Sequence, residues 1–280
     1  MIIDCHTNVG WDINNTKKNL FPVGQSYNAI LNKMNEHNVS QAVIVPFPSP
    51  GAQFQSTGFW YDLENHYLIE AAKYSKKLIP FPGVNPHDKL SVKNINTLAV
   101  AFGVKGVKFS HQIPMGFSID KLINHKLMTI IQEHNLKFMI HIGTGKEQGA
   151  QHTHTTLNYA LKVAKQYPDI KFIFCHLGRL HWSLLEALNL NNVFMDTAAL
   201  SMWNNWQHFL AAEPMQLFKK LSPIEVIEKL VSLGYEDKIL FGSDEPYTEY
   251  KSEIATIEQA DISDTAKRKI FYKNVSKLLQ

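Results

Sequence analysis

The chain has 280 residues, 45% of them hydrophobic and 19% charged, and carries a formal net charge of +3. This is a globular composition with material for a large core. So small a charge, with no run of Lys or Arg, excludes a nucleic-acid or membrane surface as the main business of the protein.

The stretch Ile2-Ile3-Asp4-Cys5-His6-Thr7-Asn8 opens the chain as a short buried strand. Alternation along it sets Asp4, His6 and Asn8 on one face, with Cys5 and Thr7 on the other, so that three polar groups aim at one point. Seven further apolar runs follow, at 42–45, 78–81, 106–109, 138–141, 172–176, 193–196 and 239–244. Their near-continuous apolar character suits parallel strands covered on both faces. Helical periodicity fills the gaps. Leu122, Leu127, Ile130 and Ile131 form one apolar face; Leu157, Ala160, Leu161 and Ala164 form another. Ser222-Pro223-Ile224-Glu225 has the makings of a capping box, with Gly234 as the stop, and residues 270–279 predict a closing amphipathic helix.

Eight strands alternating with helices, without a low-complexity linker, predict an α/β fold, a single (β/α)8 barrel domain over residues 1–280. An open doubly wound sheet is the alternative, weakened because Asp4 to Gly10 offers one glycine where a phosphate loop needs several. Two long aromatic-rich segments, 46–61 and 197–221, leave C-terminal strand ends, where they serve as substrate walls or as a homodimer surface. Cys5 and Cys175 are too few for a disulfide framework, and alternation points each thiol away from the histidine that follows it. With no basic-then-apolar leader and no apolar stretch of about 18 residues, a cytoplasmic protein off the membrane is the expectation.

Polar residues punctuate the strand ends: His6 and Asn8 in the first, Lys108 in the fourth, His141 in the fifth, His176 in the sixth, Asp196 in the seventh and Asp244 in the eighth. Three histidines and an aspartate at the ends of separate barrel strands point to a metal site. Together with Gly106-Val107-Lys108-Phe109, Ile140 to Gly145, Cys175-His176-Leu177-Gly178 and Leu240 to Pro246, these motifs resemble the amidohydrolase superfamily of TIM barrels. The branch is the amidohydrolase-2, or aminocarboxymuconate-semialdehyde decarboxylase-like, family. The resemblance implies that His6, His141 and Asp244 hold one divalent metal, zinc or manganese. It implies that His176 polarises the substrate or orients the attacking water; a carboxylate beside such a water, Asp244, is placed to take its proton and pass it to a leaving group. Lys108 reads as a cation for a substrate carboxylate, with a carbamylated metal bridge and an internal salt bridge as alternatives.

One position departs from the family pattern. Where a second histidine is usual, this chain has Asn8. An amide oxygen is a poorer ligand than an imidazole nitrogen, which leaves three arrangements: Asp4 joins the ligands, the metal binds through His6, His141 and Asp244, or the barrel works or idles without metal. His152 and His154 repeat the histidine-x-histidine spacing in a glycine-rich loop, and His111, Trp203 and Trp206 are candidate substrate contacts. The functional expectation is a metal-dependent hydrolase cleaving a C–N or C–O bond of a small carboxylated molecule. A non-oxidative decarboxylase and a catalytically idle small-molecule binder are the alternatives.

Overall fold

The computed structural model describes residues 1–11, 24–47, 59–86, 88–109, 125–142, 156–202, 217–218 and 220–280. His111, His152, His154, Trp203 and Trp206 lie outside the described residues.

The described residues form nine strands: β1 (Ile2–Trp11), β2 (Gly24–Gln25), β3 (Val39–Pro46), β4 (Leu78–Pro80), β5 (Gly106–Phe109), β6 (Lys137–Ile140), β7 (Phe172–Phe174), β8 (Val193–Asp196) and β9 (Ile239–Leu240). All but β2 pair in parallel, as β1–β3–β4 and as β5 through β9. Backbone hydrogen bonds join the two runs at both seams. Lys108 N–H donates to Pro82 O at 2.8 Å and Val84 N–H to Lys108 O at 2.9 Å, linking β4 to β5. Cys5 N–H donates to Phe241 O and Asp244 N–H to His6 O, each at 2.8 Å, linking β9 back to β1. Eight parallel strands therefore close in a ring: the protein is a (β/α)8 barrel. The extra β2 pairs antiparallel with the outer end of β1.

The apolar strands are explained by what lies on either side of them. Ile3, Cys5, Val43, Val45, Phe81, Met139, Ile173, Cys175 and Leu240 pack inside the ring. Ala42, Ile44, Val107, Phe109, Phe138, Ile140, Phe172, Phe174, Val193, Met195 and Ile239 face the helical layer. With both faces dry there is no polar face to show period two in the sequence. Val275 and Leu278, from the closing segment, also join the interior cluster.

The helices are α1 (Tyr27–Glu36), α2 (Phe59–Tyr74), α3 (Lys89–Phe102), α4 (His125–Glu133), α5 (Thr156–Gln166), α6 (Leu184–Leu188), α7 (Pro223–Ser232), α8 (Tyr250–Glu258), α9 (Asp264–Arg268) and α10 (Asn274–Leu278). The predicted capping box is present at α7: Ser222 Oγ accepts from Glu225 N–H while the Glu225 carboxylate accepts from Ser222 N–H. Gly234 follows with φ +85°, a conformation that favours glycine. The predicted closing helix is broken, with a π-helical turn at Lys269–Lys273 between α9 and α10. Among the described residues no helix is long and apolar enough to cross a membrane.

Candidate active site

Inward-facing polar side chains gather at the C-terminal strand ends, where such a barrel meets its substrate. On β5, Lys108 points in between outward Val107 and Phe109. The residue after β6 is His141, β8 ends in Asp196, and the chain leaves β9 through Gly242 and Ser243 to Asp244.

β1 delivers His6 and Asn8 by a different route. Asp4 pairs with Ala42 and Thr7 with Ile44, so β1 takes three residue steps against two on β3. This β-bulge inverts the alternation. Ile3 and Cys5 face inward before it, and Val9 faces outward after it. His6 and Asn8 consequently reach the mouth while Asp4 does not share their face, which corrects the alternation read from the sequence. Asp4 lies behind the strand. Its carboxylate accepts from His6 N–H at 2.9 Å, Ser243 N–H at 3.0 Å, Ser243 Oγ at 2.7 Å and the Tyr250 hydroxyl at 2.9 Å. Burial raises its pKa to about 6 against the pull of those four bonds. Four protein donors fill this carboxylate, so it is not a ligand; it bolts the backbones of β1 and the Asp244 turn together.

His6 is held from the other side. Its Nδ1 lies 3.0 Å from Asp196 Oδ2, and Asp196 Oδ1 accepts from His176 N–H at 2.6 Å and Ala198 N–H at 3.1 Å. Burial opposes the ionisation of Asp196, but His6 and its hydrogen bond hold the carboxyl well below the usual range. A carboxylate there fixes one proton of His6 on Nδ1 and makes Nε2 the nitrogen that faces the mouth. That Nε2 lies 3.1 Å from Lys108 Nζ and 3.7 Å from Asp244 Oδ1. Burial and the Lys108 charge oppose a second proton on His6, while Cys175 and Asp196 outweigh them and carry its pKa up to about 10. An N···N contact of 3.1 Å needs one nitrogen to act as acceptor, so His6 and Lys108 share a single proton across it. Gly242 makes the packing feasible: a Cβ there would meet the Cβ atoms of His6, Asp196 and Ala198 at 3.1–3.3 Å.

The opposite wall is a histidine pair. His176 opens a left-handed turn, with φ between +46° and +61° for His176, Leu177, Gly178, Arg179 and Leu180. The four non-glycine residues in it each cost about 1–2 kcal/mol relative to right-handed backbone. His176 Nδ1 lies 2.9 Å from Ala198 O, and a carbonyl only accepts, so Nδ1 carries the proton. His176 Nε2 then accepts from His141 Nδ1 at 3.0 Å, which leaves His141 Nε2 unprotonated, the form a ligand needs. Burial, reinforced by Arg179, drives the His176 pKa well below 6.5, so the ring is neutral. Neutral, with its Nδ1 proton directed at Ala198 O, His176 spends its Nε2 lone pair on His141 Nδ1.

The amidohydrolase family model matches residues 3–280. The chain belongs to the amidohydrolase family. No curated protein matches it by sequence. Among solved structures it is similar to 5-carboxyvanillate decarboxylase from Sphingomonas paucimobilis, at 12% identity and TM-score 0.70 over 99% of this chain and 98% of that one. It is also similar to a protein from Acinetobacter baumannii described as a probable 2-pyrone-4,6-dicarboxylic acid hydrolase, at 18% identity and TM-score 0.67, over 99% and 98% of the two chains. A third is a dihydroxybenzoic acid decarboxylase from Polaromonas with bound manganese, at 14% identity and TM-score 0.71, over 99% and 96%. At these identities the likeness shows the fold.

Against the amidohydrolase pattern the described site holds His6, His141, His176, Lys108 and Asp244 in one mouth, with Asn8 turned to a task of its own. Its Nδ2 donates to Asp244 Oδ1 at 2.9 Å and to Glu245 O at 3.2 Å. Asn8 thus steadies a neighbouring carboxylate by donating a hydrogen bond. Burial raises the Asp244 pKa, opposed by His6, Asn8 and Lys108. Glu245, next in the chain, is neutralised by Lys33. In chemical kind the donors suit a divalent cation, which would take the place of the second proton on His6: imidazole nitrogens, a carboxylate, and a carboxylate–histidine hydrogen bond behind His6. One member of the cluster runs against the expectation from the sequence. Alternation along a regular strand points the Cys175 thiol away from His176, yet its Sγ accepts from Lys108 Nζ at 2.9 Å. The signal was Ile173, two residues earlier and inward like Cys175.

Proposed function

We propose that this amidohydrolase is a metal-dependent hydrolase that cleaves an amide, lactone or ester bond of a small carboxylated substrate. The observation that carries the reading is Lys108. Its side chain is buried, and among the described residues no carboxylate forms an ion pair with it. A buried lysine whose hydrogen-bond partners are an imidazole and a thiol lacks a directly paired carboxylate, and a substrate carboxylate supplies one.

His6, His141 and Asp244 are the residues that would hold the metal, zinc or manganese. A divalent ion held there would supply Lewis-acid polarisation of a carbonyl and would lower the pKa of a bound water to about 7. The chain's own residues do the rest. Asp244, whose pKa burial raises, accepts the proton of the attacking water and passes it to the leaving group. Asn8 keeps that carboxylate oriented through the 2.9 Å bond to Oδ1. Asp196 holds His6 in the tautomer that exposes Nε2, and Lys108 binds the carboxylate of the substrate.

The test is metal analysis of the purified protein, followed by assays of carboxylated amides, lactones and esters with added zinc or manganese. Hydrolysis that requires metal, with a raised KM in Lys108→Met, is expected. A protein that binds neither metal and hydrolyses nothing overturns the reading. Release of carbon dioxide from an aromatic acid in place of hydrolysis replaces it with a decarboxylase. The Asp4 geometry weighs against that outcome to the extent that it needs an acid-x-histidine ligand pair, because Asp4 is filled by Ser243, Tyr250 and the His6 backbone.

A further inference from the structure

We propose that Cys175 is a ligand in this metal site, through its thiolate, with His6 Nε2 and Asp244. The inference rests on the metal-dependent reading above and deepens it, because it changes which metals the site prefers.

The ligand atoms of His6, Cys175 and Asp196 all lie within 4.8 Å of one another, and all three residues are buried. Asp196 is engaged at Nδ1 of His6, so the ligand direction of that ring is Nε2. Between Nε2 and the sulfur sits Lys108 Nζ, 3.1 Å from one and 2.9 Å from the other. Zinc bonds nitrogen at about 2.0–2.1 Å and sulfur at about 2.3 Å, so the two groups must close by roughly 1 Å and 0.6 Å to hold an ion where the ammonium lies. Asp244 Oδ1, 3.7 Å from Nε2, is the nearby carboxylate oxygen.

The substitution at position 8 fits this set. Asn8 gives its amide hydrogen to Asp244, so no second nitrogen ligand comes from β1. A sulfur donor from the end of β7 makes good that loss. A divalent ion at this point would take the place of the Lys108 nitrogen and leave that side chain for the substrate carboxylate. A thiolate favours zinc or cobalt over manganese, whereas a set of imidazole and carboxylate alone does not discriminate so strongly.

The experiment is titration of the metal-free protein with Co²⁺, reading the visible bands of the bound ion and the near-ultraviolet thiolate-to-cobalt absorption. We expect both, at one Co²⁺ per chain, with Mn²⁺ competing poorly. The chain has two cysteines, so in Cys5→Ser the near-ultraviolet band has Cys175 as its only source and should persist. In Cys175→Ser it should vanish, with Co²⁺ binding at least about tenfold weaker. If Cys175→Ser does not fold, the Cys5→Ser spectrum alone decides. Visible bands without the thiolate band overturn the inference and leave the metal-dependent reading intact. No Co²⁺ binding at all, with none of Zn²⁺, overturns both.

Discussion

Asp196→Asn isolates the part of the site that the structure describes most fully. The wild-type carboxylate accepts three hydrogen bonds, from His6 Nδ1 at 3.0 Å, His176 N–H at 2.6 Å and Ala198 N–H at 3.1 Å. An asparagine keeps the two backbone bonds through its one oxygen and turns its NH2 to His6. An NH2 cannot accept, so His6 must present Nδ1 as the acceptor and carry its proton on Nε2, the nitrogen required for a metal. The loss of a charge-assisted bond in a buried site costs about 1.5–3 kcal/mol of stability. Displacing the group behind a ligating histidine costs about 10–100-fold in metal affinity. Calorimetric titration with Zn²⁺ and nitrogen NMR of the imidazoles read the two effects separately. The acid limb should change too. The Asp196 pKa is depressed in the fold, so it contributes stability above its unfolded pKa of about 3.9 that is lost as the pH falls below it. The variant should lack that part of the acid transition. Unchanged metal affinity together with Nε2 still unprotonated in Asp196→Asn would refute the role assigned to Asp196.

Two further outcomes follow from buried groups near the mouth. Glu253 on α8 accepts from Ser201 N–H and Ser201 Oγ, and burial lifts its pKa from 4.5 to about 8 despite those bonds. Its folded form therefore binds more protons than the unfolded chain between these values, and stability falls as pH rises through the window, by up to about 1.4 kcal/mol per unit. Glu253→Gln should remove that slope and melt higher than wild type at pH 9, while melting curves that stay parallel from pH 5 to 9 would contradict it. Gly242→Ala places a methyl 3.1 Å from His6 Cβ and 3.3 Å from Asp196 Cβ. Both must give way by tenths of an ångström, so metal affinity should drop with a stability loss of about 1–3 kcal/mol; an affinity equal to wild type would show that the two side chains are not held as tightly as drawn.

Much of the site was legible because the fold is. Strands buried on both faces stand out as apolar runs, and a polar residue that ends such a run, like His141 or Asp244, announces itself. Asp4 and Cys175 are less legible for a common reason. Strict alternation puts Asp4 on the His6 face and turns Cys175 away from His176, and the chain breaks alternation at those two places. The bulge between Asp4 and Thr7 and the left-handed turn from His176 leave no compositional mark: the one is set by pairing with β3, the other by non-glycine residues in a conformation their types disfavour.

That coincidence has a physical reading. A regular strand places one of any two adjacent side chains inside the barrel, so a site on regular strands would choose between Cys5 and His6, and between Cys175 and His176. Here Cys5 packs in the interior while His6 meets Asp196, and Cys175 accepts from Lys108 while His176 meets His141. Each irregularity thus supplies the mouth with a side chain that period two would have sent to the helices. The left-handed turn is costly, and it is held by specific bonds: His181 N–H to Gly178 O, Leu217 N–H to Leu180 O, and Arg179 Nε to Ile142 O beside His141. Strain kept at a strand end, with hydrogen bonds spent on holding it, is expected where geometry serves chemistry. It sets His176 against His141 and Cys175 against Lys108, so the unusual backbone and the unusual ligand are two consequences of one turn.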